Sequence, residues 1–131
     1  METAKPARDE RRHDRWRGID HVQVAIPVGG EDRARAFYGE VLGLPEVPKP
    51  PILAARGGAW FEAGTTRLHC GAEAGFTPAR KAHPALLISD LPGFVAESGL
   101  DVRWSDEIPG TVRCHVDDPF GNRLELVEAG P

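Results

Sequence analysis

The feature that most constrains the fold is a short pattern that occurs once in each half of the chain. Each half contains a predicted strand that opens with a histidine, His21 in the first half and His83 in the second. Each strand is followed by a helix-like segment that ends in Gly-Leu, at residues 43–44 and 99–100. Self-similarity of this kind predicts two copies of one unit, made of a strand, a helix and three further strands.

The two halves also end in similar segments. Residues 117–127 predict a turn followed by a strand, with Glu125 in the middle of that strand. Residues 64–70 follow nearly the same plan, and His69 falls opposite Glu125 when the segments are aligned with one residue of slack. A carboxylate in mid-strand is either solvated or held inside by a cation. The repeat therefore places four candidate ligand residues at matching points of the two units: His21, His69, His83 and Glu125.

Length and composition exclude several classes of protein. A chain of 131 residues is expected to form one compact domain. Its net charge of −4 gives no reason to expect a nucleic acid as partner. We expect no membrane association, because no apolar run approaches the ~20 residues that span a bilayer. With no hydrophobic signal core at the N-terminus and only Cys70 and Cys114 as cysteines, a reduced, cytoplasmic protein is expected.

Charge and turn residues suggest how the chain is divided. Residues 1–17 are highly charged and predict a flexible tail, because they cannot bury enough apolar surface to offset their chain entropy. The single domain then covers residues 18–128. Within it we expect module 1 at about 18–71, a linker at 72–81 and module 2 at about 82–128.

Turn residues also predict the element bounds within the modules. The prolines between residues 45 and 51 argue against regular structure there. In module 2, Asp90 as N-cap and Gly99 as terminator predict a helix over residues 91–98. Three short strands are expected in module 1, at about residues 52–55, 59–62 and 67–70.

These motifs together resemble those of the vicinal oxygen chelate superfamily. The resemblance lies in the strand-opening histidines, the Ala-Phe-Tyr-x-x-Val-Leu-Gly-Leu helix and the segment Asp-Pro-Phe-Gly-Asn-Arg-Leu-Glu-Leu, and it covers residues 18–128. The superfamily includes glyoxalase I, fosfomycin-resistance transferases, extradiol dioxygenases and bleomycin-binding proteins. The resemblance implies an α+β fold in which two βαβββ modules form a curved mixed-sheet cup around a divalent metal. It also implies a homodimer that completes each cup across its subunits.

The resemblance assigns ligand roles to residues that the repeat had already singled out. His21, His83 and Glu125 match the family's metal positions, and His69 matches a fourth position that is a ligand in only some members. Imidazole and carboxylate ligands suit Zn, Ni, Mn or Fe(II), so one divalent ion of this group is expected. A single strand histidine is more often a structural residue, and His69 could instead donate to a ligand or point away. The occurrence of all four residues at symmetry-related points nevertheless favours a metal-binding role.

Further residues are candidates for catalysis and substrate binding. Gln23 lies two residues after His21 on the same strand face, and His115 lies ten residues before Glu125 and could act as a general base. Arg113 could bind an anionic substrate. Aromatic residues could line an apolar pocket, although on strands they more often belong to the core. These are Trp60, Trp104 and Phe120.

The function that the resemblance implies best is a glyoxalase-like lyase or isomerase. Its small-molecule substrate would chelate a divalent metal through neighbouring oxygens. The alternatives are an extradiol-type dioxygenase and a non-catalytic protein that binds an antibiotic, as bleomycin-resistance proteins do. A fosfomycin-type transferase is a weaker alternative, because the potassium-binding loop of that branch is not recognisable in the sequence.

Overall fold

The computed structural model describes residues 15–130, and its strands form two sheets of four strands each. Sheet A has the strand order β1-β4-β3-β2, and sheet B has the order β5-β8-β7-β6. In chain order the elements are β1 (His21–Pro27), α1 (Glu31–Ala34) with a π-helical continuation (Arg35–Val41), β2 (Glu46–Val47), α2 (Pro51–Ala54), β3 (Ala59–Ala63), β4 (Thr66–Glu73), β5 (Ala85–Ile88), α3 (Leu91–Ser98), β6 (Arg103–Ser105), β7 (Arg113–Asp117) and β8 (Arg123–Glu128).

The two sheets have the same topology, which confirms the predicted repeat. In each sheet the first strand runs parallel to the last, and the remaining pairs are antiparallel. The chain therefore has the expected α+β fold of two βαβββ modules. The predicted N-terminal tail, residues 1–17, lies for the most part outside the described residues.

Alternation along the strands gives each sheet one apolar face. Val24 and Ile26 of β1 are buried, as are Leu124 and Leu126 of β8. Because successive side chains of a strand point to opposite faces, these residues fix the core side of each sheet. The same core includes Tyr38 from the π-helical segment together with other helix residues, namely Ala34 and Leu91. The opposite face of each sheet, here called its open face, is left for polar and aromatic side chains.

Helix α3 has the bounds that the sequence predicts, Leu91–Ser98. The Asp90 side chain accepts a hydrogen bond from Gly93 N at 3.2 Å, and Gly99 ends the helix with φ of 70°. The Glu128 carboxylate accepts from Asp90 N and Leu91 N, at 2.8 and 2.7 Å. It thereby joins the start of the helix to the end of β8.

The segment between the first helix and β3 differs from the prediction. Residues Pro51–Ala54 form a short helix with proline in its first turn, so the strand predicted at 52–55 is wrong. The second strand of the module is instead Glu46–Val47, inside the proline-rich segment. This strand pairs only with β3 in the described chain, and an edge strand tolerates flanking prolines because one side needs no ladder hydrogen bonds.

Asp118 links the two modules through a buried hydrogen-bond network. Its carboxylate accepts from Tyr38 Oη at 2.7 Å and from Asn122 Nδ2 at 2.9 Å. The backbone N–H groups of Phe120 and Asn122 also donate to it, both at 2.9 Å. Asn122 Nδ2 in addition donates to Ala25 O of β1 at 2.8 Å. The turn before β8 therefore attaches module 2 to both the helix and the first strand of module 1.

Within residues 15–130, no helix has the length and apolar character that crossing a membrane requires.

Candidate functional site

The open face of sheet B gathers the charged residues of its two central strands. Cys114 and Val116 of β7 are buried in the core, so the residues between and beside them face the other way. The register places His115 directly opposite Glu125. Side chains directly opposite each other on adjacent strands are close neighbours. The open face of these two strands carries Arg113, His115, Asp117, Arg123, Glu125 and Val127.

Glu125 lies between two histidines. His83 Nε2 is 3.1 Å from Glu125 Oε1, and His115 Nε2 is 3.7 Å from the same oxygen. His83 precedes β5, and Glu125 N donates to Pro84 O at 3.0 Å, which fixes this segment against β8. One ligand atom from each of the three residues lies within 4.8 Å of the other two. This group could hold a metal ion.

The second nitrogen of His83 restricts what the first can do. His83 Nδ1 lies 2.8 Å from Lys81 O, a backbone carbonyl that can only accept, so Nδ1 carries a proton. In a neutral His83 the lone pair of Nε2 then points at Glu125 Oε1, which is also an acceptor. The contact therefore requires either a protonated imidazole or a cation shared by the two groups. Histidines that bind metals usually donate their other N–H to a carbonyl or carboxylate in this manner.

Arg113 holds the remaining oxygen of the carboxylate. Arg113 Nη1 is 3.0 Å from Glu125 Oε2, and its Nη2 is 3.4 Å from Glu107 Oε1. Burial raises the pKa of Glu125, but the hydrogen bonds from Arg113 and His83 outweigh it and bring the pKa below its usual value. Burial lowers the pKa of His115, and the charge of Glu125 only partly opposes this. At neutral pH the site therefore combines a carboxylate with a neutral His115.

Sheet A carries a stack of three aromatic rings on its open face. The His69 ring lies between Trp60 and His21, with centroid distances of 3.9 and 4.1 Å. His69 Nε2 is buried and has no hydrogen-bond partner among the described residues. Burial is also the main cause that lowers the pKa of His69. A neutral imidazole with an unpaired buried nitrogen is suited to metal ligation.

His21 repeats the arrangement of His83 in the other module. Its Nδ1 lies 2.9 Å from Asp20 Oδ2, so this side of the ring is occupied by a carboxylate. The other ring nitrogen, Nε2, is left as the candidate ligand atom, as it is in His83. The acidic residue directly before His21 in the sequence is the signal that predicts this contact.

A cavity of about 500 Å³ lies over the open face of sheet A. Gln23 lines it, and Gly71 on the adjacent strand leaves room for this side chain, since a Cβ at Gly71 would lie 2.9 Å from Gln23 Cδ. The polar and aromatic lining consists of Asp20, His21, Gln23, Lys49, Arg56, Trp60, Arg67 and His69.

The structure thus brings the predicted site residues together in two groups. His21, His69, Trp60 and Gln23 lie on sheet A, whereas His83, Arg113, His115 and Glu125 lie on sheet B. The four predicted metal ligands are divided between the groups in pairs. His21 and His69 lie outside the group formed by His83, His115 and Glu125.

Two predicted pocket residues lie elsewhere. Trp104 is paired with Cys114, so it shares the core side of sheet B and not the face of His115, and it is 51% exposed. Phe120 packs against the first helix, where the guanidinium carbon of Arg33 lies 4.9 Å from its ring centroid. Neither aromatic residue is among those lining the cavity over sheet A.

The chain is similar in structure to several solved proteins, although neither a family model nor a curated protein matches it. A glyoxalase family protein from Bacillus anthracis is 47% identical, with a TM-score of 0.84, and the match covers 88% of this chain and 97% of that one. Lactoylglutathione lyase from Agrobacterium tumefaciens is 19% identical, with a TM-score of 0.66 over 86% of this chain and 93% of that one. The fosfomycin resistance protein FosX from Listeria monocytogenes is 11% identical, with a TM-score of 0.67 over 88% of this chain and 95% of that one. The last two show the shared fold, and the first shows that the chain belongs to the glyoxalase family of the vicinal oxygen chelate superfamily.

Proposed function

We propose that the protein is a divalent-metal-dependent, glyoxalase-like enzyme of the lyase or isomerase type. Its substrate would be a small molecule that chelates the metal through neighbouring oxygens. The observation that carries this proposal is the contact between His83 Nε2 and Glu125 Oε1 at 3.1 Å, in which Nδ1 of the imidazole already donates to a carbonyl. Unless Nε2 also carries a proton, the two facing atoms are both acceptors, and a metal ion bound by both of them would stabilise the contact.

His83 and Glu125 would hold the metal, with His115 beside them. Imidazole and carboxylate ligands fit Zn, Ni, Mn or Fe(II), and which of these is bound does not follow from the ligand set. Such an ion supplies Lewis-acid stabilisation of negative charge that develops on a substrate oxygen. Arg113 keeps Glu125 ionised and oriented through Oε2, which leaves Oε1 for the metal.

The remaining polar residues would act on the substrate directly. His115 is neutral at neutral pH because burial lowers its pKa, so its free imidazole can accept a proton from a carbon or hydroxyl of the substrate. Gln23 lines the cavity over sheet A and would orient a substrate oxygen. The face of Trp60 that is not stacked on His69 would contact apolar parts of the substrate.

We propose that the complete site forms in a cytoplasmic homodimer. His21 and His69 of one subunit would then join His83 and Glu125 of the other. Among the described residues, β1 and β5 each pair along only one edge. Exposed apolar side chains lie beside these edges, with Ile19 at 69% and Leu87 at 74% exposure. Unpaired edges flanked by exposed apolar residues favour association with a second copy.

An extradiol-type dioxygenase is the second candidate, and one observation favours it. His83, His115 and Glu125 form a set of two histidines and one carboxylate within a single module. This set is typical of non-haem Fe(II) oxygenases. Retention of Fe(II) with turnover of catechols would favour the dioxygenase, whereas retention of Zn or Ni with turnover of hemithioacetals would favour the lyase. A purified protein that retains no metal would favour the non-catalytic, ligand-binding alternative.

Replacing His83 with alanine is expected to remove the metal. The wild-type protein, loaded with each candidate ion and dialysed, is expected to keep about one ion per subunit. The His83→Ala protein should keep less than about a tenth of that amount, because a ligand is lost and Glu125 loses its neighbour. Elemental analysis of both proteins measures this directly. Lys81→Ala is the matched control, since its backbone carbonyl remains; full metal retention by His83→Ala would contradict the proposal.

Mixing two inactive variants tests whether the site spans two subunits. His21→Ala and His83→Ala are first separately shown to lose metal, and are then unfolded, mixed in equal amounts and refolded. A mixed dimer would contain one site with both histidines intact and one site that lacks both. About a quarter of the wild-type metal content is then expected, since half of the randomly formed dimers are mixed. A site contained within one subunit would give no recovery.

A further inference from the structure

Besides the cavity over sheet A, the structure has a polar pocket on sheet B that the proposed metal centre does not use. It encloses about 280 Å³ and is lined by Arg80, Arg103, Asp117, Gly121 and Arg123. Three of these five residues are arginines and one is acidic, on a chain whose net charge is −4. Three guanidinium groups in one pocket repel each other, and a bound anion would offset this repulsion.

Only part of this positive charge is neutralised within the chain. Arg103 Nη2 is 3.0 Å from Asp117 Oδ1, and both side chains are about half exposed. Over residues 15–130, no carboxylate lies within 4.0 Å of the guanidinium groups of Arg80 or Arg123. The pocket therefore holds an excess of two positive charges. Guanidinium groups present paired N–H donors whose spacing matches the oxygens of a carboxylate or a phosphate.

The position of the pocket relates it to the candidate metal centre. Arg123 lies two residues before Glu125 on β8, and Asp117 lies two residues after His115 on β7. Residues two apart along a strand share a face and are separated by ~7 Å. The arginine pocket therefore lies on the open face of sheet B, ~7 Å along the strands from the group around Glu125. A small molecule reaches across this distance.

The backbone positions Arg80 relative to the same strand. Arg123 N donates to Ala79 O at 3.0 Å, and Ala79 N donates to Asn122 Oδ1 at 3.0 Å. The segment that follows reaches His83, which is fixed against β8 by the contact of its ring with Glu125. One connecting segment thereby carries both a pocket arginine and a candidate metal ligand, and hydrogen bonds or side-chain contacts to the β8 region hold it at both ends.

We propose that Arg80, Arg103 and Arg123 bind an oxyanion group, a phosphate or a carboxylate, and that this group belongs to the substrate. The claim that this group belongs to the substrate rests on the proposed function, whereas binding of the anion does not. The substrate class is then a small phosphorylated or carboxylated compound. Its chelating oxygens would lie ~7 Å from its anionic group, which is the spacing of alternate residues along a strand.

Binding of inorganic phosphate to the metal-free protein tests the pocket by itself. Calorimetric titration at constant ionic strength is expected to show binding to the wild-type protein. Arg123→Gln and Arg80→Gln should each weaken it by about tenfold or more, because a charge-assisted hydrogen bond is lost. Asp117→Asn should tighten it, because a carboxylate that competes with the anion is removed. A purely structural role of these residues would not produce changes in opposite directions. Acetate as a second probe identifies a carboxylate preference.

Two control variants test whether the change in phosphate affinity is specific to the arginine pocket. Lys81→Gln removes the same charge from a residue outside the pocket and should leave phosphate affinity within about twofold, since the screened field of one exposed charge is small. Arg56→Gln removes a cation from the cavity over sheet A and should likewise have little effect. Equal binding in all variants, or a loss confined to Arg56→Gln, would overturn the assignment. The His83→Ala protein separates the two proposals, because it should bind phosphate normally even though it retains no metal.

Discussion

Replacing Glu125 with glutamine is expected to lower turnover by at least about a thousandfold and to release most of the bound metal. The substitution keeps the size of the side chain and removes its charge. The hydrogen bond from Arg113 Nη1 to Oε2, at 3.0 Å, would then reach a neutral amide. The contact between Oε1 and His83 Nε2 would lose the attraction that a shared cation supplies. Under the proposed function, both the affinity for the ion and the orientation of the site would therefore depend on this one carboxylate.

The measurement combines kinetics with metal analysis. Rates are determined with hemithioacetals and with catechols, since these distinguish the two proposed reactions, and metal content is determined on the same samples. The wild-type protein must first turn over one of these substrates. Simultaneous loss of rate and metal supports the assignment.

The matched control is Glu107→Gln. Glu107 is the second carboxylate that contacts Arg113, but its side chain is 82% exposed and it lies outside the group around Glu125. Its replacement should change the rate by less than about twofold, because exposed ion pairs contribute little. If Glu125→Gln kept its metal and its rate, or if both variants behaved alike, Glu125 would be no more than part of a structural ion pair with Arg113.

Local signals explain why much of the fold could be predicted from the sequence. The ends of α3 depend on Asp90 and Gly99, two residues whose conformational preferences act within the helix termini themselves. The repeat of strand-opening histidines is likewise visible without any tertiary information, and it predicts one group of His21, His69, His83 and Glu125. Within one chain the structure brings His83 and Glu125 together and leaves His21 and His69 on sheet A. Residues 52–55 were predicted wrongly because a short apolar segment has no periodicity that distinguishes a strand from one helical turn.

The composition of the site depended on strand register, which the sequence does not specify. Trp104 was predicted as a pocket residue, but the pairing of Trp104 with Cys114 places it on the core side of the sheet. A shift of register by one residue would have placed it on the face of His115. The same uncertainty concealed the arginine pocket, because Arg80 lies beside β8 and Arg103 lies on β6, and the two meet only after β7 has paired with both strands.

Replacing Asp118 with alanine is expected to lower the free energy of unfolding by about 3–5 kcal/mol. The buried carboxylate accepts hydrogen bonds from two side chains and two backbone N–H groups. Alanine would leave Tyr38 Oη and the two backbone N–H groups without a partner and Asn122 Nδ2 with Ala25 O alone. Each unpaired buried donor costs about 1–3 kcal/mol, with some of the loss recovered by water entering the space. Tyr38 does not compensate by ionising in this variant, since burial alone is the largest cause that raises the pKa of its hydroxyl.

The network joins the modules, so its loss should be seen across the whole domain. Urea unfolding of Asp118→Ala is expected to show a lower midpoint by tryptophan fluorescence and by far-ultraviolet circular dichroism. The fluorescence reports Trp60 on sheet A and Trp104 on sheet B, together with a constant contribution expected from the exposed Trp16. Tyr38→Phe removes one donor together with its hydrogen bond and should cost only about 1 kcal/mol. The difference between the two variants measures what the unpaired donors cost beyond a single lost hydrogen bond.

Asp117→Ala is the matched control for the neighbouring position. Asp117 is 53% exposed and makes one ion pair, with Arg103, so its removal should cost less than about 1 kcal/mol. Two adjacent aspartates of the same motif are thus expected to differ severalfold in their effect on stability, because one is buried among donors and the other faces solvent. Equal losses in the two variants would mean that Asp118 does not attach the modules to each other, and the motif before β8 would then serve only as a turn.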